Sequence, residues 1–277
     1  MSFDLNARHG MKLLPLFALV LHFSLFPVAG QDRPVSGTEV LPSVEALFKR
    51  HFSAVGASPA SAPVRALMMT GQVKQTSAQD PPQTFPFKSW VAALPRRSVF
   101  SMGDVYSSGW DGKTLWEDQG KKPEVLEGKA AHLEMVSPWN LIFPDSGHWG
   151  VLGETRCVGT REVEGTACHV VECVREKFPP IRLYFSSETG HLMRKDWSCP
   201  HHADGDKDGH RFFLIFTDYK EVNGTQYPHT LVMGDLKADD SAGSADTEFS
   251  VESIEVNSEV PENTFALPAG LQLPKAP

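Results

Sequence analysis

Apolar and polar positions in residues 157–268 alternate in short runs separated by tight turns. One curved antiparallel sheet is the simplest structure such a pattern encodes. The runs read "CVGTREVEGTACHVVECV", "IRLYFSSETGHLMRKDW", "RFFLIFTDYKEVNGTQYPHTLVM" and "FSVESIEVNSEVPENTFALP". Glu164-Gly165, Thr189-Gly190 and Asn223-Gly224 stand between apolar or β-branched stretches, where such dipeptides supply the backbone a hairpin turn demands. One stretch departs from alternation. Phe212 to Phe216 are apolar at every position, so both faces of that strand need an apolar or covered environment.

The first half follows the same grammar with two helical interruptions. Val44, Leu47, Phe48, Phe52 and Val55 recur at spacings of three and four, with Ser43 as N-cap and Gly56 as stop signal. They predict an amphipathic helix over 43–56. "ASPASAPV" breaks it, and a first strand follows near 65–74, then a loop rich in Gln, Asp and Pro over 77–86. Strands resume at 87–94, 96–104 and 105–118, the last turning on Asp111-Gly112. Between Pro123 and Asp145, Leu126, Ala130, Leu133 and Val136 return to helical spacing until Pro138. This predicts a second helical segment inserted between strands of the same sheet.

The N-terminus carries a different signal. Lys12 precedes the apolar stretch Leu13 to Val28, and small residues lead into Gln31 and Asp32, the pattern of a secretory signal peptide cut after Gly30. A membrane anchor is the alternative, but Pro15 and His22 interrupt a stretch shorter than the roughly 20 residues a spanning helix needs. Residues 1–10 read as an extra leader, and no cysteine near the cut supports a lipid anchor. The expected organisation is therefore leader and signal over 1–30, a polar lead-in over 31–42, one domain over 43–268 and a tail over 269–277. Loss of Asp4, Arg8 and Lys12 with the leader moves the formal charge from −8 to −9. An acidic surface argues against nucleic acid or an anionic membrane as the main partner.

Export makes disulfides chemically permissible for Cys157, Cys168, Cys173 and Cys199. Counting outward from a two-residue turn at Glu164-Gly165 places Cys157 opposite Glu172. A single bulge would bring Cys157 and Cys173 face to face. That pair ranks first, with free buried thiols as the alternative.

The order and spacing of "AVGA", "GWDGKTLW", "LYFSSETGHLMR", "TDYKEVNGTQYPH" and "VNSEVPENTFALP" resemble exported bacterial proteins of the outer-membrane lipoprotein-sorting type. The periplasmic lipoprotein carrier and its outer-membrane receptor share that fold. The resemblance spans most of 43–268. It implies a mainly β chain with a few helices: an unclosed antiparallel half-barrel whose concave apolar face is covered by a helical lid, leaving room for acyl chains. No functional residue of that family is carried over to a position of this chain.

The aromatic supply agrees with an apolar lining. Trp90, Phe100, Trp116, Phe143, Phe185, Phe213 and Phe216 are the candidate cavity residues, although for any one of them packing in a plain core is the commoner role. The segment "CPHHADGDKDGH" invites a metal reading. Asp204, Asp206, Asp208 and Gly209 match the first half of a calcium loop, but its twelfth position is Ile215 where a bidentate glutamate is required. Cys199, His201, His202 and His210 offer zinc donors without the paired spacing of structural sites. A solvated loop is the simpler reading. No nucleophile elbow, metalloprotease helix or phosphate loop is present, so no enzyme activity and no cofactor are expected. The leading expectation is an exported carrier of lipid or lipid-modified protein, working with a membrane-associated partner protein; the resemblance implies the periplasm, and the signal peptide equally permits secretion. A protein-interaction module with a filled core is the first alternative, and a metal-dependent exported enzyme the second.

Overall fold

The computed structural model describes residues 40–56, 64–77, 80–93, 96–126, 153–175, 178–199 and 210–273. The expected signal peptide, most of the second helical segment, Phe143 and the loop 200–209 lie outside them.

A single helix among these residues, α1 (Val44–Ala54), opens the domain. Ser43 caps it, its Oγ accepting from the Ala46 N–H at 3.2 Å, and Glu45 sits in the first turn where the helix dipole favours a negative charge. Gly56 ends it with φ of 77°. A Cβ there would stand 2.3 Å from the Gly224 carbonyl oxygen, so the stop requires glycine for space as well as for conformation.

Thirteen strands follow: β1 (Ala66–Gln75), β2 (Gln83–Ala92), β3 (Arg97–Met102), β4 (Tyr106–Trp110), β5 (Leu115–Asp118), β6 (Glu124–Val125), β7 (Glu154–Val163), β8 (Thr166–Arg175), β9 (Phe178–Ser186), β10 (Leu192–Cys199), β11 (His210–Val222), β12 (Thr225–Leu236) and β13 (Ala242–Val256). They form one antiparallel, unclosed sheet in the order β6-β5-β4-β3-β2-β1-β13-β12-β11-β10-β9-β8-β7. Two meanders, β1 to β6 and β7 to β13, are thus joined along one seam. At that seam β1 pairs with β13 through a bulge at Thr70/Gly71, where a Cβ on Gly71 would lie 2.0 Å from the Ser250 carbonyl oxygen.

The turn dipeptides act as their chemistry requires. Glu164-Gly165 has φ of 47° and 76°, Asn223-Gly224 has 52° and 80°, and each closes a two-residue hairpin with positive φ at both central positions. Asp111 accepts from the Lys113 and Thr114 N–H groups to turn β4 into β5. Three elements differ from the sequence expectation. β2 starts at Gln83, inside the expected loop, and Pro86 is tolerated because β2 pairs with β3 only from Phe87 onward. Glu124–Val125, expected at the start of a helix, form a short strand against Trp116 and Glu117. The final run ends its strand at Val256, and its second half turns back to place Phe265 against Trp90.

The first-ranked disulfide is also corrected. A bulge is present, but the extra residue, Val158, lies in β7 and not in β8. It moves Cys157 opposite Val171 and puts Thr155 opposite Cys173, leaving both thiols free.

The main core lies on the concave face. It draws Leu67, Met69 and Val73 from β1, Phe87 and Val91 from β2, Phe100 and Met102 from β3, and matching residues from β4 and from β8 to β13. Val44, Leu47, Phe48 and Phe52 of α1 pack onto the same cluster. The helix presents its apolar stripe to the sheet and so covers part of this face.

Candidate binding face

Strand alternation decides which aromatics line the concave face. Along β11, Phe212, Leu214 and Phe216 join the main cluster, while Phe213 points the other way, under the Arg194 guanidinium. Phe100 and Phe185 also face the cluster. Trp90 belongs to a separate group with Ala92 and Phe265. Trp116 lies over Gly109 in the row that contains Val99 of that same group. The structure therefore brings Phe100, Phe185 and Phe216 together and sets Trp90, Trp116 and Phe213 on the convex face. Consecutive apolar residues in β11 hid this division, since both parities are apolar there.

α1 is fastened over the hairpin tips. Its Phe48 ring meets Phe185 edge-on at 5.8 Å, and His51 lies 5.4 Å from the same ring. His51 Nδ1 donates to the Gly190 carbonyl at 3.1 Å, Arg50 donates to the Glu188 carbonyl at 2.6 Å, and Val55 accepts from the Gln226 N–H at 2.8 Å. Burial pushes the His51 imidazole down to about 4, with the Gly190 bond working against that shift and His191 adding to it. His191 stacks on Tyr219 at 4.3 Å and donates from Nε2 to Gln226. The neutral rings thus act as fasteners.

At the opposite end, β10 contributes Lys195 and Trp197 to the concave side. Lys195 pairs across the sheet with Leu183 and Leu214, both in the main cluster, and is fully buried. Its ammonium lies 5.2 Å from the Trp197 ring centroid. Burial pulls its pKa down to about 7, with nearby Cys173 opposing, and burial pushes the Cys173 thiol up to about 12. Trp197 stacks on Phe212 at 5.6 Å, and its indole N–H is buried without a hydrogen-bond partner among the described residues. Ser89 Oγ shares that condition. Sequence inspection missed Lys195, yet a signal existed: in "MRKDW" three consecutive charges sit in a strand, so one must face opposite to its neighbours.

The neighbours form a polar row on the convex face. Arg156, Glu172, Arg182 and Asp196 stand side by side across β7 to β10. Arg156 and Arg182 both bond Glu172, at 2.6 Å and 3.3 Å, and Arg182 and Arg211 grip Asp240. Hydrogen bonding from Arg156, reinforced by Arg182, holds the Glu172 carboxyl below the usual carboxylate range against the effect of burial. Arg194 reaches Asp196 at 2.7 Å while stacking on Tyr184 and Phe213, and Tyr184 donates to Asp196 at 2.6 Å.

No cluster of metal donors occurs among the described residues. Of the metal candidates, Cys199 and His210 are placed by their backbone directly opposite one another at the ends of β10 and β11. His201, His202, Asp204, Asp206 and Asp208 fall outside the described residues.

No known protein family and no curated protein matches the sequence. Solved structures do match. A LolA superfamily protein from Nitrosomonas europaea aligns with TM-score 0.54 at 8% identity, covering 82% of this chain and 99% of that one. A DUF1329 family protein from Desulfovibrio piger gives 0.53 at 11%, covering 80% and 96%. An outer membrane lipoprotein-sorting protein domain from Vibrio parahaemolyticus gives 0.52 at 10%, covering 79% and 94%. The chain has a lipoprotein-sorting-like fold. At these identities the likeness is one of architecture, and it agrees with the resemblance seen in the turn order.

Proposed function

We propose that this chain is an exported, periplasmic carrier that holds acyl chains of a lipid or lipid-modified protein between the concave sheet and its helical cover. The observation that carries this reading is the largely apolar concave face, built from both meanders, interrupted by Lys195 and overlain by α1, in a lipoprotein-sorting-like fold. Transfer of a chain from water to such a surface contributes about 0.8 kcal/mol per methylene, enough for a long chain to be held without covalent chemistry. Phe100, Phe185 and Phe216 are the lining residues of the expected set that face it. The reading requires no cofactor and no catalytic group.

Native mass spectrometry with organic extraction tests it, on protein exported by a bacterial host and purified without detergent. Lipid or lipopeptide at fixed stoichiometry is the expected result. Phe216→Tyr, a conservative change on the concave side, lowers occupancy, while Phe213→Tyr on the convex side leaves it unchanged. A clean apo mass in the parent protein would sink the carrier reading.

A further inference from the structure

We propose that the end of the concave face remote from α1 recognises an anionic, hydrogen-bond-accepting headgroup on the bound acyl chain, with Trp197 Nε1–H and the Lys195 ammonium as its donors. This inference rests on the acyl-carrier reading and adds the chemistry of the ligand's polar end.

Position comes first. Lys195 and Trp197 are two residues apart on β10, so their side chains leave the strand on the same side. Leu183 and Leu214 flank Lys195, and Phe212 is the cross-strand partner of Trp197, all within the main apolar cluster. The ammonium lies over the indole ring, 5.2 Å from its centroid, so the two groups share one neighbourhood of the apolar cluster.

Chemistry comes second. An indole N–H and an ammonium only donate, and neither can satisfy the other. The Trp197 donor is buried without a partner among the described residues, a state that is destabilising until an acceptor arrives. A carboxylate or a phosphate is an acceptor and an anion together. In this apolar setting its attraction to the ammonium is screened far less than in water. An alcohol or an alkane terminus supplies at most the acceptor.

Calorimetric titration of the full exported chain, stripped of lipid, tests this with four probes: dodecanoate, dodecanol, dodecyl phosphate and inorganic phosphate. Dodecanoate is expected to bind at least about tenfold tighter than dodecanol, the size of one charge-assisted hydrogen bond. Lys195→Met, which keeps an unbranched side chain one atom shorter and removes the charge, brings that ratio close to one. Trp197→Phe keeps the stacking on Phe212 and weakens dodecanoate severalfold. If Lys195→Met fails to fold, Trp197→Phe still decides. A preference for dodecyl phosphate over dodecanoate identifies a phospholipid-type headgroup, and the reverse a free fatty acid; both support the proposal. Equal affinity for dodecanoate and dodecanol, or a ratio that survives both substitutions, overturns the headgroup and leaves the carrier reading standing. Inorganic phosphate binding as tightly as dodecyl phosphate overturns the coupling of headgroup to chain. Failure of all four probes to bind overturns both readings.

Discussion

On the concave side of β9 and β10, Leu183, Phe185 and Trp197 pack into an apolar cluster shared by strands from both meanders. One residue along the same strands, Arg182, Tyr184, Arg194 and Asp196 form a convex network of ion pairs and hydrogen bonds. The concave side is held by non-directional burial, which suits a surface whose contacts can be exchanged for those of a guest chain. The convex side is held by directional bonds that tolerate no slip. A one-residue shift of β10 would send Arg194 and Asp196 into the apolar cluster, so the polar row fixes the register that keeps the concave face apolar.

The largest expected effect breaks the convex side. Arg194→Ala leaves Asp196 and Tyr184 buried around a missing guanidinium and should cost about 3–5 kcal/mol in urea unfolding. The double change Arg194→Met with Asp196→Leu should recover much of that loss, because it removes both charges together. A double variant as unstable as the single one would mean that the stacking on Tyr184 and Phe213 matters more than the ion pair.

An intermediate effect sharpens the comparison through pH. Burial lowers His51 from 6.5 to about 4, so between those values the unfolded chain binds the proton more readily and acid removes stability. Asp246 is raised from 3.8 to about 6, first by burial and also by Asp235. Its folded form therefore binds the proton more readily, and acid adds stability across that range. The two contributions oppose one another, each on the order of 1–3 kcal/mol. Wild type should show little net slope from this pair between pH 4 and 6.5. His51→Gln should gain stability as pH falls relative to wild type, and Asp246→Asn should lose it faster. Denaturation midpoints measured at pH 4.5 and 6.5 check both signs, and parallel slopes in all three proteins would contradict the assignment.

The smallest effect lies at the exposed end of the row. The Arg156 side chain is 69% exposed, so Arg156→Ala should cost no more than about 1 kcal/mol, and less at 1 M salt. A cost near that of Arg194→Ala would show that the row acts as one cooperative unit.

Much of this architecture was legible in local chemistry. Ser43 and Gly56 mark α1, Glu164-Gly165 and Asn223-Gly224 mark their hairpins, and the unbroken apolar run in β11 announces two covered faces. What stayed hidden depends on long-range register. Nothing local says that the bulge beside Cys157 belongs to β7, and that one residue separates a facing cysteine pair from two free thiols. Parity likewise divided the aromatic set: Phe216 and Phe213 are chemically alike, but only the pairing of β11 assigns their sides. Lys195 was missed because a charged triplet reads as surface until its neighbours are seen to occupy the other face.

The seam between β1 and β13 has a kinetic meaning. Among the described residues every other strand pair joins neighbours in the chain, so each meander can assemble from hairpins that close short loops. The seam instead brings Leu67 to Val256, nearly the full length of the domain, and must bear the entropy of closing that long loop before any of its contacts form. The molecule is therefore two fast-zipping ribbons waiting on one slow meeting, and the crowded passage of Gly71 past Ser250 lies on that meeting line.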